Sequence, residues 1–200
     1  VNTLRVLLGA LYGGRCVNPV NLLAQPDQMR YVLEHSDCKL VVVAPEWEER
    51  VHALLEDIAR PVQVLVAGSE SPALPGESQA DADVELAAPA GSSVGLLMYT
   101  SGTTGVPKGV MLAQASLVAN ARAIVAEHAL DAADRVLGVL PLYHINAFVV
   151  TMLAPLASGG SVCITPRFSG ARFWEQAHAG RCTWLNVVPT IVSYLLEGET

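Results

Sequence analysis

The residues best suited to chemistry lie in one run, Tyr99-Thr100-Ser101-Gly102-Thr103-Thr104-Gly105-Val106-Pro107-Lys108-Gly109. Its glycines permit backbone angles that other residues resist, and they leave room for a bulky anion. Successive N–H groups in such a turn form an anion-binding concavity. Thr100, Ser101, Thr103 and Thr104 add hydroxyl donors, and Lys108 adds a mobile positive charge. Many donors, little bulk and one cation are what a triphosphate needs. The run is not a Walker A loop, because Pro107 precedes Lys108 and Gly109 follows it where that motif requires Gly-Lys-Ser/Thr. A standard phosphotransferase is therefore disfavoured. The plainer alternative is a glycine-rich surface turn that binds nothing, with Lys108 a solvated lysine. The fixed order of hydroxyls, glycines, proline and lysine speaks for phosphate.

His144 is the second candidate. It follows Pro141-Leu142-Tyr143 at the end of an apolar run, and ligands of α/β sheets often sit beyond strand ends. The residues alone favour a buried histidine capping the following helix. Asn146 and Val150 lie about one turn apart if residues 147–156 are helical. They could face a ligand, or act as a helix cap and as core packing. Trp174 and Trp184 read as core. His35, His52, His128 and His178 show no constellation and read as surface residues.

The elements that must hold these residues alternate. Residues 4–12 read as an apolar helix stopped by Gly13-Gly14, and 15–19 as a short strand. Pro26 opens a helix with Met29, Val32 and Leu33 at helical spacing. Residues 39–43 and 62–66 read as buried strands around an amphipathic helix over 46–59. Residues 68–92 are rich in Ser, Pro, Ala and acids and read as a surface connection. The pattern resumes with strand 94–100, the Gly/Thr loop, strand 109–112 and helix 116–128. Strand 135–140, buried helix 147–156, strand 161–165, helix 171–179, strand 184–188 and a helix behind Pro189 follow. Helices between short apolar strands indicate an α/β layer with parallel strands, in segments 1–67 and 93–200.

The 200 residues are 52% hydrophobic with a net charge of −7. An acidic chain with 12 Lys+Arg is a poor partner for nucleic acid, whose affinity comes from phosphate neutralisation. Mean hydropathy is +0.39, yet no apolar run reaches the ~18–20 residues of a membrane span. Cys16, Cys38, Cys163 and Cys182 form no C-x-x-C pair and no zinc-spaced Cys/His cluster, so no protein metal site is expected. They read as buried free thiols of a reducing, cytoplasmic compartment, although Cys16 and Cys38 could pair. The start at Val1-Asn2-Thr3 suggests an excerpt of a longer protein.

The run Tyr99 to Val110 resembles the phosphate loop of the adenylate-forming superfamily, which includes acyl-CoA synthetases, peptide-synthetase adenylation domains and beetle luciferases. Leu140-Pro141-Leu142-Tyr143-His144-Ile145-Asn146-Ala147 is similar to the family's next motif, where an aromatic/His segment lines the acyl pocket. Phe168-Ser169, Phe173-Trp174, Thr183-Trp184 and Val188-Pro189-Thr190 resemble the acyl-CoA synthetase branch in particular, and Gly9 to Pro19 with residues 31–43 is similar to the family's region before the loop. Ala113-Gln114-Ala115-Ser116 departs from the family's Ser/Thr-His-x-Asn step. The later family motifs, including the adenine and magnesium segment and the catalytic lysine of a small C-terminal domain, lie outside this sequence.

The resemblance implies an incomplete layered α/β large domain of an AMP-forming acyl-CoA ligase. A carboxylate attacks the α-phosphate of ATP, and coenzyme A then displaces AMP. Thr100, Ser101, Gly102, Thr103, Thr104, Gly105 and Lys108 would hold the β- and γ-phosphates with Mg2+, Lys108 as a point charge. His144, Asn146 and Val150 would line the acyl pocket, and the resemblance favours that role for His144. It would not be a general base, because a carboxylate nucleophile is already ionised at neutral pH. The alternatives are an adenylation domain that loads a carrier protein and a non-catalytic nucleotide-binding module. The sequence taken alone is expected not to turn over. A small or medium acid, polar or branched, is the weak implication of Ile145, Asn146 and Val150.

Overall fold

The computed structural model describes residues 2–68, 71, 73–77, 86–100 and 106–197. The chain divides into two compact units, Val1–Gln114 and Ala115–Thr200. The connection expected at 68–92 falls within the first.

In the first unit, helix α1 (Asn2–Tyr12) buries Leu7 and Leu11. It ends in a Schellman turn: Arg15 N–H donates to Ala10 O at 2.8 Å, and Gly14 takes φ +70°. The strand expected over 15–19 shrinks to a single parallel bridge, Val17 with Leu96. Gly13-Gly14 precedes it, and Pro19, which has no N–H, blocks a longer ladder. Helix α2 (Pro26–His35) starts on its proline and buries Met29, Val32 and Leu33. Strands β1 (Leu40–Val43) and β2 (Gln63–Val66) pair in parallel, Leu40 with Gln63 through Val43 with Val66. They are less buried than expected, since Leu40 is exposed and most neighbours only half-buried. The helix expected over 46–59 is a 3₁₀ turn (Pro45–Trp47) followed by α3 (Glu48–Leu55). Its exit tightens, with Ile58 N–H on Leu55 O at 3.0 Å, so Ile58 still reaches the core. That core is Met29, Leu33, Leu54 and Ile58. Arg60 donates to the carbonyls of Leu33, Glu34 and Cys38, satisfying the end of α2.

Strands β3 (Val94–Thr100) and β4 (Lys108–Ala113) form an antiparallel hairpin, so the strands are not all parallel. Helix α4 (Gln114–His128) follows directly. Its Gln114 side chain caps the open end of α1 by donating to Leu11 O at 3.1 Å. Gln114 therefore has a job of its own where the sequence departs from the family step.

The second unit is built on a parallel sheet in the order β6-β5-β7. Its strands are β5 (Arg135–Gly138), β6 (Ser161–Ile164) and β7 (Trp184–Leu185). Strands β5 and β7 are shorter than the expected 135–140 and 184–188. Helices α5 (Ala154–Ala157), α6 (Phe173–Ala179, behind a 3₁₀ turn at Gly170–Arg172) and α7 (Pro189–Glu197) complete the unit. Leu137, Val139, Phe173, Ala177 and Ile191 form its core cluster. Arg135 Nε donates to Ser161 Oγ and its Nη1 to Gly180 O, joining the N-terminal ends of the strands. Thr183 Oγ1 donates to Asp134 Oδ1 at 2.8 Å. The Asp131 backbone bond first, then this hydroxyl, holds the Asp134 carboxyl below its ordinary range.

Helices α4, α5 and α6 also end in Schellman turns. Leu130 N–H bonds Val125 O, Gly160 N–H bonds Pro155 O, and Cys182 N–H bonds Ala177 O. Left-handed angles fall on Ala129 (φ 50°), Gly159 (φ 79°) and Arg181 (φ 49°).

The largest departure is the buried helix expected over 147–156. Residues Asn146–Leu153 form a π-helix, and only Ala154–Ala157 are α-helical. Ala154 N–H bonds Val149 O, five residues back. Pro155 contributes, because it has no N–H with which to extend α-type bonding backwards.

Candidate functional site

The β3–β4 hairpin carries the first candidate site. Tyr99 pairs with Gly109 and Thr100 with Lys108, so both ends of the Gly/Thr run meet at the last rung of the ladder. Thr100 and Lys108 are exposed there. No ion pair occupies the Lys108 ammonium group among the described residues. A hydroxyl and a cation with no ion pair among the described residues thus stand at the two ends of the Gly/Thr run, a donor set suited to phosphate oxygens. Ser101, Gly102, Thr103, Thr104 and Gly105 lie outside the described residues. A Cβ on Gly109 would stand 3.1 Å from Leu97 Cδ1 and 3.4 Å from the Tyr99 ring. Glycine at this position lets the two side chains of β3 close over β4.

Sequence reasoning missed what anchors this end of the hairpin. His35, read as an isolated surface residue, meets the Tyr99 hydroxyl through Nδ1 at 2.7 Å. Tyr31 stacks on His35 with ring centroids 5.1 Å apart, and Tyr99 stands edge-on to both. Burial, followed by the nearby Tyr31, Asp37 and Cys38, raises the Tyr99 phenol above its ordinary range. The hydroxyl is a neutral hydrogen-bonding group there. The signal available in the sequence was Tyr31 and His35 at i,i+4 on one helix, one turn apart.

The second candidate site is at the C-terminal edge of the β6-β5-β7 sheet, in the other unit. The chain leaves β5, turns at Pro141 with His144 N–H on Pro141 O at 3.1 Å, and enters the π-helix. His144 is exposed, with its ring 4.6 Å from that of Tyr143. Asn146 and Val150 are half-buried. Asn146 is not a helix cap: its Oδ1 accepts from Asn186 Nδ2 at 2.5 Å. The same nitrogen donates to Thr151 Oγ1 at 2.9 Å. Asn186 was not a candidate from sequence, although a lone amide between Leu185 and Val187 was a visible anomaly.

Other expectations are corrected. Trp174 is 55% exposed and therefore not core. Its ring meets Phe173 edge-on, with centroids 5.0 Å apart, and about half of the residue stays open. Cys16 is exposed, and Cys38, Cys163 and Cys182 are half-buried free thiols. The Cys182 thiol is pushed up to about 11, by burial first and then by Cys163. Among the described residues no group of three or more His, Cys, Asp or Glu could hold a metal. No described helix is long and apolar enough to cross a membrane.

A sulfoacetate–CoA ligase of Cupriavidus necator is 51% identical over 98% of the chain. A mitochondrial malonate–CoA ligase of Mus musculus is 32% identical over 85% of the chain. The chain spans 38% and 29% of the lengths of these two relatives. The ATP-bound structure of MatB from Rhodopseudomonas palustris superposes on 98% of the chain, and the chain covers 38% of it, with a TM-score of 0.85 at 24% identity. That likeness shows a shared fold. The model of the family described as AMP-binding enzyme matches residues 2–200. With the family model matched over nearly its whole length and a relative identical at half its positions, the chain belongs to the AMP-binding enzyme family.

Proposed function

We propose that this chain is part of the large domain of an AMP-forming acid–thiol ligase. The enzyme joins a carboxylic acid to coenzyme A through an acyl-adenylate. The observation that carries this reading is the β3–β4 hairpin, which sets Thr100 and Lys108 at the mouth of the Gly/Thr turn. The named activity of the 51% identical relative supports it. In this reading the turn grips the β- and γ-phosphates of ATP, and Lys108 offsets the charge of departing pyrophosphate. Lys108 acts at that leaving group and takes no proton. Catalysis is then positioning plus charge stabilisation. His144, Asn146 and Val150 form part of the wall against which the acid lies.

The acid is proposed to be small and to carry a second acidic group. Sulfoacetate and malonate, named for the two relatives, both pair a carboxylate with another anion. An acid so short leaves little to the hydrophobic effect, so recognition must come from hydrogen bonds and charge.

The test is carboxylate-dependent ATP–pyrophosphate exchange by the full-length protein. Sulfoacetate, malonate, acetate and octanoate would be compared, with and without Lys108→Ala. Exchange is expected with the first two acids and is expected to fall about a hundredfold on losing the lysine, the scale of one lost transition-state donor. Exchange with no acid, from protein that still binds ATP, would overturn the ligase reading in favour of a nucleotide-binding module.

A further inference from the structure

We infer that Asn186 is a positioning residue for the acid pocket: its carboxamide holds the π-helix Asn146–Leu153 in register and thereby fixes Asn146 and the turn at His144. The inference rests on the proposed role of that region as the acid-binding wall.

Asn186 Nδ2 bonds two acceptors at once, Asn146 Oδ1 and Thr151 Oγ1. An amide nitrogen carries two hydrogens, so this bridge uses both. The two acceptors are five residues apart. In an α-helix, at 3.6 residues per turn, positions five apart point about 140° from each other. One nitrogen could not then reach both. In a π-helix, whose hydrogen bonds run from i to i+5, positions five apart lie roughly one turn apart on the same side. The bridge therefore depends on the π geometry.

Burial makes the bridge selective. Thr151 is 1% exposed, and its methyl group faces Gly138, where a Cβ would stand 3.2 Å from it. A buried hydroxyl stripped of its partner is costly, and the unbridged α register takes the Asn186 bond away from Thr151. The packing of Phe148, Val149 and Met152, all at most 1% exposed, fixes the body of this segment in the core, and Asn146 ahead of it is only half-buried. Any change of register is then expressed at its N-terminal end. A slip of one residue turns that end by about 100° and moves it about 1.5 Å along the axis. Phe148 N–H bonds His144 O at 3.0 Å, so the His144 turn moves with it.

The experiment uses the full-length protein with Asn186→Leu, Thr151→Val and Thr151→Ser. The leucine and valine are near-isosteric and lack the bridge, whereas serine keeps the acceptor. Crystal structures read the hydrogen bond of Ala154 N–H. Steady-state exchange reads KM for the acid and KM for ATP separately. Asn186→Leu and Thr151→Val are expected to move that bond from Val149 O to Val150 O. They should raise KM for the acid about tenfold and leave KM for ATP within about twofold, a split that general destabilisation does not produce. Thr151→Ser should match the parent in both. If Asn186→Leu fails to fold, Thr151→Val alone carries the test. A retained π-helix in Thr151→Val overturns the inference, and so does a lost π-helix with unchanged KM for the acid. Absence of exchange in the parent protein would count against the ligase reading, and the Ala154 bond would still decide the role of the bridge.

Discussion

At the scale of single residues, close approach decides which positions must stay glycine. Gly160 is the sharpest case. A Cβ there would stand 2.6 Å from Asp134 O, 3.0 Å from Asp131 O and 3.1 Å from Pro155 O. All three are backbone atoms, so none can rotate away. Gly160→Ala is expected to lower stability by about 2–3 kcal/mol, as overpacking of a rigid site does, read from the midpoint of urea denaturation. Gly95 makes an instructive contrast, because its added Cβ would meet only the end of the Gln114 side chain. That side chain can move, although its bond to Leu11 O would go with it. Individual side chains are also where sequence reading fell short. His35 looked isolated because its partner, Tyr99, is 64 positions away. Asn186 looked unremarkable because its two acceptors lie 40 and 35 positions back. Periodicity reports neighbours along the chain, whereas these bonds are made by the fold.

Among elements, the β3–β4 hairpin is held at two places along β3. Near its start, Val17 bridges Leu96 in parallel, with Val17 N–H on Gly95 O and Leu97 N–H on Val17 O, both at 2.9 Å. Near its loop end the His35–Tyr99 bond ties it to the last turn of α2. Tyr99→Phe keeps the ring over Gly109 and removes only the hydroxyl. It is expected to cost about 0.5–1 kcal/mol, the net worth of one partly exposed hydrogen bond, measurable by equilibrium denaturation of the variant beside the parent. Most elements were legible in the sequence because apolar spacing survives in each: α1, α2, α4, β3 and the β1–β2 pair lie close to where periodicity puts them. The π-helix was not legible. Apart from Asn146 and Thr151 the residues of Asn146–Leu153 are apolar, so no stripe distinguishes a 3.6-residue turn from a wider one. What sets its register is Asn186, outside the segment. The candidate phosphate run was legible for a different reason: its chemistry is carried by residue types in sequence order and needs no tertiary partner to be noticed.

Taken whole, the molecule distributes its two candidate sites between its two compact units, the hairpin in one and the His144 turn in the other. Among the described residues the first unit holds two two-stranded sheets and the second one three-stranded sheet, and each unit has its own hydrophobic cluster. Four helices across these units share one way of stopping, the Schellman turn. Two of them place glycine at the left-handed position, Gly14 and Gly159, and two place Ala129 and Arg181 there. A side chain in that conformation carries a steric penalty that glycine escapes. Ala129 is exposed, so its methyl group contributes no buried contact. Ala129→Gly is therefore expected to strengthen the protein by about 0.5–1 kcal/mol after the greater freedom of unfolded glycine is counted. The corresponding rise in melting temperature is about 1–4 °C for a chain of this size, within reach of differential scanning calorimetry. The stop of α4 is thus an unspent reserve of thermal tolerance, and drawing on it would leave the hairpin and the π-helix untouched.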